Sequence, residues 1–339
     1  MVAVKVGIMG AGSIGAYLGG RCINGGLDTV LVGRPALGAD IARHGLHVTD
    51  LRGADFRLRP SQVRYATDPA ALADRDIVFV TVKSAATAEA AEQLRAALPD
   101  SATVVSFQNG VRNAGVLREH LSGARVLAGM VPYNVVWQDG AHFHCGTSGA
   151  LLIEDQGEPT AGVLAALRRA GLEADGHSDM PGILWGKLIF NLNNPINALA
   201  DIPLREELAQ PGYRRIVAAA MDEALAVLRL AGIRPARSGK LIPGLAPRIM
   251  RLPNWLFFRI AASVIKIDPR ARSSMWEDLQ RGRVSEVDFI NGEVVALAAQ
   301  HGGAAPINAG LVALIREAER AGTPRLSAAG LGEVLGISS

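Results

Sequence analysis

The run Gly10-Ala11-Gly12-Ser13-Ile14-Gly15 sets three glycines at fixed offsets, directly after a short apolar segment, Val4 to Met9, and directly before a stretch of helical spacing. A dinucleotide pyrophosphate needs this arrangement. Residues without a Cβ let the backbone approach the phosphates, and the unpaired N–H groups and dipole of the helix start favour negative charge. All six residues from Gly10 to Gly15 are therefore read as cofactor-binding. A plain tight turn is the bland alternative, and the strand-turn-helix context weighs against it. Gly19 and Gly20, one turn further on, allow the helix to lie close on a sheet.

The next strand, Thr29 to Val32, ends in Gly33-Arg34. An NAD enzyme usually places Asp or Glu there to accept from the adenosine ribose hydroxyls. A guanidinium suits a 2′-phosphate through paired, charge-assisted bonds. The expected cofactor is thus NADP(H), with Arg34 as its reader; the alternative is an ordinary solvated arginine. Two further strands end at Thr81-Val82-Lys83 and at Ser106-Phe107-Gln108-Asn109-Gly110. Ligands of open α/β sheets bind beyond the carboxyl ends of strands, so Lys83 and Asn109 are expected to face the nicotinamide half of the cofactor. Alone, they would read as a surface lysine and an Asn-Gly turn.

Positioning these groups requires a sheet. Val4 to Met9, Thr29 to Val32, Ile77 to Val82 and Thr103 to Phe107 are uniformly apolar and rich in β-branched residues, as strands covered on both faces are, and helical stretches separate them. Segments 126–136 and 150–153 predict further strands, Thr160 to Ala170 a helix, and 172–174 a last strand. After His177 the spacing becomes helical: Trp185 to Leu199, Arg214 to Ala231, Val287 to Ala299 and Ala309 to Ala321. The fold class is α/β, an N-terminal Rossmann-type parallel sheet domain over residues 1–177 followed by a mostly α-helical domain over residues 178–339. Five prolines between Pro235 and Arg270 predict short helices and loops there.

The whole chain fits that plan. Its 339 residues, 49% hydrophobic and 20% charged, suit two globular domains. A net charge of +3 from 35 basic and 32 acidic residues leaves no strong field, which argues against a nucleic-acid partner. Two cysteines in unrelated segments give no disulfide framework, and a reducing cytoplasm fits. No apolar run reaches membrane-spanning length; the stretch Trp255 to Ile265 is short and holds Arg259.

The motifs GAGSIG, TVKSA, SFQNGV, WGKLIFN and SSMWEDLQRGRVSEVDFING, in that order over nearly the whole chain, resemble the ketopantoate reductase (2-dehydropantoate 2-reductase) family. The resemblance implies a two-domain NADPH enzyme that reduces a 2-oxo acid to a 2-hydroxy acid in an interdomain cleft, as in pantothenate biosynthesis. It matches the general-acid lysine to Lys187, the asparagine one turn later to Asn191, the substrate-binding serine to Ser274 and the active-site glutamate to Glu286. It sets Lys83 and Asn109 on the cofactor-facing wall, with Asn109 also reaching substrate and Glu286 also near the cofactor. A further substrate asparagine corresponds to Asn194, although the run Asn191-Leu192-Asn193-Asn194-Pro195 is one residue shorter than the family pattern, which leaves Asn193 open as the counterpart. The Pro-punctuated stretch from Pro235 to Arg270 is longer than in the shortest family members.

Spacing agrees with these roles. Lys187 and Asn191 are four apart and share one helix face. Hydride delivery to a ketone leaves charge on oxygen, which a nearby ammonium stabilises and protonates. Glu286 can hold that lysine or a substrate hydroxyl, and Ser274 can donate to a carboxylate. The bland alternatives are a snorkelling lysine at a helix start and, for Glu286, an N-cap partner beneath Ser285.

His142-Phe143-His144-Cys145 lacks a second ligand cluster, so no metal is expected. No Gly-x-Ser-x-Gly elbow is present for a serine hydrolase. Cys22 reads as a buried small hydrophobe. Besides a small 2-oxo acid substrate, the expected partner is a second copy of the chain in a homodimer. Two other functions stay open: a related NAD(P)-dependent hydroxy-acid or opine-type dehydrogenase, and a non-catalytic NADPH-sensing protein.

Overall fold

Short runs dominated by apolar and β-branched residues form strands where both faces are covered, and two of these, Ile77–Val80 and Thr103–Ser106, are buried at every position. They lie inside the sheet of a computed structural model that describes residues 4–237, 242–264, 271–322 and 324–337. The chain divides into unit 1, Met1–Met180, and unit 2, Pro181–Ser339.

In unit 1, β1 (Lys5–Met9), α1 (Ser13–Asn24), β2 (Asp28–Val32), α2 (Pro35–His44), β3 (Leu46–Asp50), β4 (Asp55–Leu58) and β5 (Arg64–Ala66) are followed by β6 (Ile77–Val80), α3 (Thr87–Ala97), β7 (Thr103–Ser106), α4 (Asn113–His120) and β8 (Arg125–Met130). Then come β9 (Val135–Trp137), β10 (His142–Cys145), β11 (Leu151–Glu154), α5 (Glu158–Arg169) and β12 (Ala174–His177). The large sheet runs β12-β11-β8-β7-β6-β1-β2-β5 and is parallel except where β11 meets β8. The chain builds outward from β1 through β2 to β5, then returns to β1's other side with β6. This reversal makes the carboxyl ends of β1 and β6 a topological switch point, the place where an open α/β sheet has a crevice for a ligand.

A second sheet, β4-β3-β10-β9, was not expected from the sequence. Segment 126–136, read as one strand, is two: β8 joins the large sheet and β9 the small one, with Pro132 between them, a residue unable to donate to a ladder. Arg21 of α1 ties the small sheet to the large: its guanidinium donates to Asp50 at the end of β3 (2.5 Å) and to the carbonyls of Ala170 (3.2 Å) and Gly171 (2.6 Å). On β10, His142 and His144 share Thr49 Oγ as a hydrogen-bond partner. No group of three or more metal-ligating side chains occurs among the described residues.

Unit 2 is helical: α6 (Met180–Asn191), α7 (Asn194–Ala200), α8 (Leu204–Ala209), α9 (Pro211–Leu230), α10 (Ala246–Met250), α11 (Asn254–Val264), α12 (Ser274–Gln280), α13 (Val287–Gln300), α14 (Pro306–Ala321) and α15 (Ala328–Val334). The single helix expected over Trp185 to Leu199 is broken. Pro195 lacks an N–H and its ring opposes the carbonyl one turn back, so α6 ends at Asn191 and α7 starts afresh with Pro195 in its first turn. No described helix is long and apolar enough to cross a membrane.

The Pro-punctuated stretch holds α10 and α11, as expected; its residues 238–241 and 265–270 lie outside the described residues. Arg214 of α9 anchors it. This side chain is 1% exposed, donates to the carbonyls of Leu208, Met250 and Leu252 and to Asn254 Oδ1 at 2.7–2.9 Å, and sits 4.6 Å from the Phe257 ring centroid. A planar fork with several fixed donors can serve four separated oxygens; an ammonium cannot. Arg214→Met should leave those acceptors buried and unpaired, lowering the unfolding free energy by about 3 kcal/mol, and Arg214→Lys should recover little of it. Urea denaturation of the three proteins checks both.

Candidate active site

The Gly-rich turn can be built only with glycine at its tightest points. Gly10 has φ +100°, and a Cβ there would come within 2.6 Å of the Val82 backbone nitrogen, because the loop after β6 lies directly against it. A Cβ at Gly15 would strike the Gly10 carbonyl and Thr81 Oγ. Thr81 Oγ donates to the Gly10 carbonyl (2.7 Å), and the N–H groups of Gly10 and Ala11 donate to the Val32 carbonyl. The turn is thus held between the ends of β1, β2 and β6. Beyond it α1 starts at Ser13 with no side-chain cap and no acidic residue in its first turn, while the space over Gly12 is open for 4 Å. Uncapped N–H groups, an unopposed helix dipole and room above them fit a pyrophosphate.

Arg34 follows β2 at the start of α2 and is exposed. The Tyr65 hydroxyl of β5 donates to its carbonyl (2.8 Å), which fixes the backbone from which the guanidinium projects. Among the described residues no carboxylate lies within ion-pair distance of Arg34, so its charge is not already committed to the protein.

Lys83 and Asn109 stand on adjacent loops that a buried polar cluster locks together. Ser84 Oγ and Asn113 Nδ2 both donate to the Asn109 carbonyl, at 2.8 and 2.5 Å. Gln108 donates to the Val82 carbonyl (3.1 Å) and to Thr87 Oγ (2.7 Å), whose own proton goes to Asn113 Oδ1 (2.8 Å) or the Ser84 carbonyl (2.8 Å). Sequence reading missed Ser84, Thr87, Gln108 and Asn113. Polar residues at loop ends look solvated in sequence; here all four are buried.

In unit 2, α6 presents Lys187 and Asn191, and both are half-buried. Desolvation pulls the Lys187 pKa down to about 8, while the negative charge of Glu286 pulls the other way. Glu286 is the N-cap residue of α13 without a side-chain cap bond of its own, and Ser285 Oγ accepts from the Val287 N–H (3.2 Å). Gly186, beside the lysine, has no room for a Cβ because the Ala236 carbonyl lies on it, and the Ala236 N–H donates to the Gly182 carbonyl (2.8 Å). The Pro-punctuated stretch therefore begins on the helix that carries Lys187.

Ser274 is exposed in the first turn of α12, just after the buried N-cap Ser273. Ser273 Oγ accepts from the Trp276 N–H (3.1 Å) and lies 3.1 Å from the Asn194 carbonyl, to which it donates. The structure thus groups Lys187 with Glu286, and Ser274 with Asn194, all within unit 2. It groups the Gly10–Gly15 turn with the Lys83 and Asn109 loops in unit 1. Asn193 is buried and Asn194 only partly so, which leaves Asn194 the more accessible of the two.

Residues 6–157 match the family described as ketopantoate reductase PanE/ApbA, and residues 179–319 match its C-terminal counterpart, ketopantoate reductase PanE/ApbA C terminal. A 2-dehydropantoate 2-reductase of Halobacterium salinarum is 30% identical over 94% of this chain and 100% of its own, and one of Archaeoglobus fulgidus is 29% identical over 93% and 98%. The crystal structure of a PanE/ApbA family ketopantoate reductase from Ralstonia eutropha JMP134 superposes with a TM-score of 0.81 at 32% identity, covering 93% of this chain and 98% of that one. A D-mandelate dehydrogenase solved with NADH and anilino(oxo)acetate shares the fold, with a TM-score of 0.76 at 18% identity over 93% and 98%.

A lysine whose folded pKa is depressed burdens the fold with its charge. The cost is fully present below about pH 8 and fades as pH rises from there toward the unfolded value of 10.5. Lys187→Met should therefore raise the urea midpoint at neutral pH, and its advantage over the wild type should shrink across that window.

Proposed function

Because the chain belongs to the ketopantoate reductase family, we propose that it reduces 2-dehydropantoate, or a 2-oxo acid close to it, to the 2-hydroxy acid with NADPH. The chain is an oxidoreductase of the 2-dehydropantoate 2-reductase type that uses a nicotinamide cofactor. The observation that carries the finer reading is Lys187: burial brings its pKa to about 8, near the working pH, where a general acid is most effective, and Glu286 opposes premature loss of the proton.

When bound, the cofactor supplies the hydride. The chain's residues do the rest. Gly10 to Gly15 hold the pyrophosphate, Arg34 pairs with the 2′-phosphate, and Lys83 and Asn109 border the nicotinamide. Ser274 donates to the substrate carboxylate, and Asn191 and Asn194 offer neutral amides to its oxygens without adding buried charge. Lys187 Nζ stabilises the oxygen that gains negative charge and gives it a proton. Glu286 keeps the ammonium charged and oriented until then. A homodimer is part of this reading, supported by the apolar content of unit 2 and checked by sedimentation.

The NADPH absorbance should fall when ketopantoate is added. A panel of branched, straight and hydroxylated 2-oxo acids ranks the substrates. An obligatory amine co-substrate would indicate the opine-type alternative, and tight NADPH binding without turnover the sensor. Lys187→Ala should lower kcat by about 10²–10⁴. Wild-type kcat should decline as pH rises past about 8, where Lys187 loses its proton. Arg34→Ala should raise KM for NADPH and leave KM for NADH unchanged; an NADH preference that survives the substitution would remove the cofactor assignment.

A further inference from the structure

Glu207 of α8 is a carboxyl with 0% exposure on a segment with no role in the chemistry above. Its Oε2 accepts from Asn197 Nδ2 (2.6 Å), whose other proton goes to the Ile202 carbonyl (3.0 Å). The Asn197 amide is thereby oriented with Oδ1 outward from Glu207, and Oδ1 accepts the Ser273 N–H (2.8 Å), across 76 residues of chain. Ser273 in turn is the N-cap of α12 and donates to the Asn194 carbonyl. A short chain of bonds thus runs from Glu207 to the backbone that presents Ser274 and Asn194.

The second oxygen shows the state of the carboxyl. Glu207 also engages the Asn193 side chain, yet Glu207 Oε1 and Asn193 Oδ1, both fully enclosed, have no donor. Two acceptors facing a dry interior would each carry the full desolvation penalty. One proton on Oε1 turns that oxygen into a donor and removes a buried negative charge. Desolvation acts in the same direction, holding the pKa up at about 8 against the hydrogen bonds of Asn197 and Asn193, so the acid form prevails at neutral pH.

Resting on the function proposed above, we propose that Glu207 is a positioning residue: a neutral carboxylic acid that locks the Asn193 and Asn197 amides and so sets the first turn of α12, with Ser274, and the start of α7, with Asn194, to receive the carboxylate end of the 2-oxo acid. Glutamine is likewise uncharged, and its carbonyl accepts from Asn197. Leucine keeps the volume and removes both bonds.

Glu207→Gln and Glu207→Leu are compared with the wild-type enzyme in three measurements. In steady-state kinetics, Glu207→Leu should raise KM for the 2-oxo acid about tenfold, the size of one lost polar contact, with KM for NADPH unchanged, while Glu207→Gln stays within about twofold of the wild type. Infrared difference spectra should show the C=O stretch of a protonated carboxyl in the wild type at neutral pH and none in Glu207→Gln. Hydrogen exchange should show the Ser273 amide protected in the wild type and Glu207→Gln, and fast in Glu207→Leu. An unchanged substrate KM with slow Ser273 exchange in Glu207→Leu overturns the positioning role. A wild type without the protonated band overturns the neutral acid, and a Ser273 amide that exchanges fast in the wild type overturns the positioning role even if Glu207→Leu fails to fold. If the wild type turns over no 2-oxo acid, the proposed function fails, whereas the band and the Ser273 exchange still judge Glu207 separately.

Discussion

Keeping an ammonium charged while taking it out of water is the constraint on which the helical unit turns. Desolvation alone would strip the proton from Lys187, and the carboxylate of Glu286, brought in by the start of α13, opposes that loss. The balance leaves an acid that is protonated at neutral pH and yet close to letting go. It requires α6 to be firmly placed. The Ala236 backbone resting on Gly186, and the bond from Ala236 to Gly182, supply one restraint on that helix.

Two other buried ionisable groups of unit 2, Arg214 and Glu207, are handled differently. Among the described residues no carboxylate forms an ion pair with Arg214; four neutral oxygens and the Phe257 ring face it, so a permanent charge is used as a bracket for α10 and α11. Around Glu207 the amides of Asn197 and Asn193 do not outweigh the cost of desolvation, which favours the uncharged acid. The three sites show one rule at work: a buried group keeps its charge where an opposite charge or enough dipoles face it, and loses it where they do not. In unit 1 the same accounting is done with neutral side chains. Ser84, Thr87, Gln108 and Asn113 fasten the loops after β6 and β7 to one another without adding charge there.

Much of this could be read from the sequence because it is local. The Gly10 to Gly15 turn, the residue after β2 and the Lys187–Asn191 spacing each depend on a few neighbouring residues, and the strands of the large sheet are short apolar runs that only a doubly covered sheet accommodates. The break between α6 and α7 was also legible in principle, since Pro195 stands in the middle of the apolar run; periodicity outweighed it wrongly. The small sheet was not legible. Its strands are three to five residues long, and the join of its two hairpins pairs segments distant in sequence, as His47 with His142, so no local window contains the whole pattern. Nor was the Glu207 network, because Asn197 and Ser273 meet only after α7 and α12 have packed.

The origin of the small sheet bears on how unit 1 is assembled in time. One hairpin, β3 with β4, is inserted before β5, and the other, β9 with β10, after β8; the parallel join of β3 to β10 closes a loop that spans almost the whole Rossmann core. Closing so long a loop in an unfolded chain is entropically unfavourable, whereas the same ends are already near once β1, β2, β6, β7 and β8 are laid side by side. The join of the two hairpins thus depends on the large sheet being in place, and the Arg21–Asp50 contact ties its β3 end to α1.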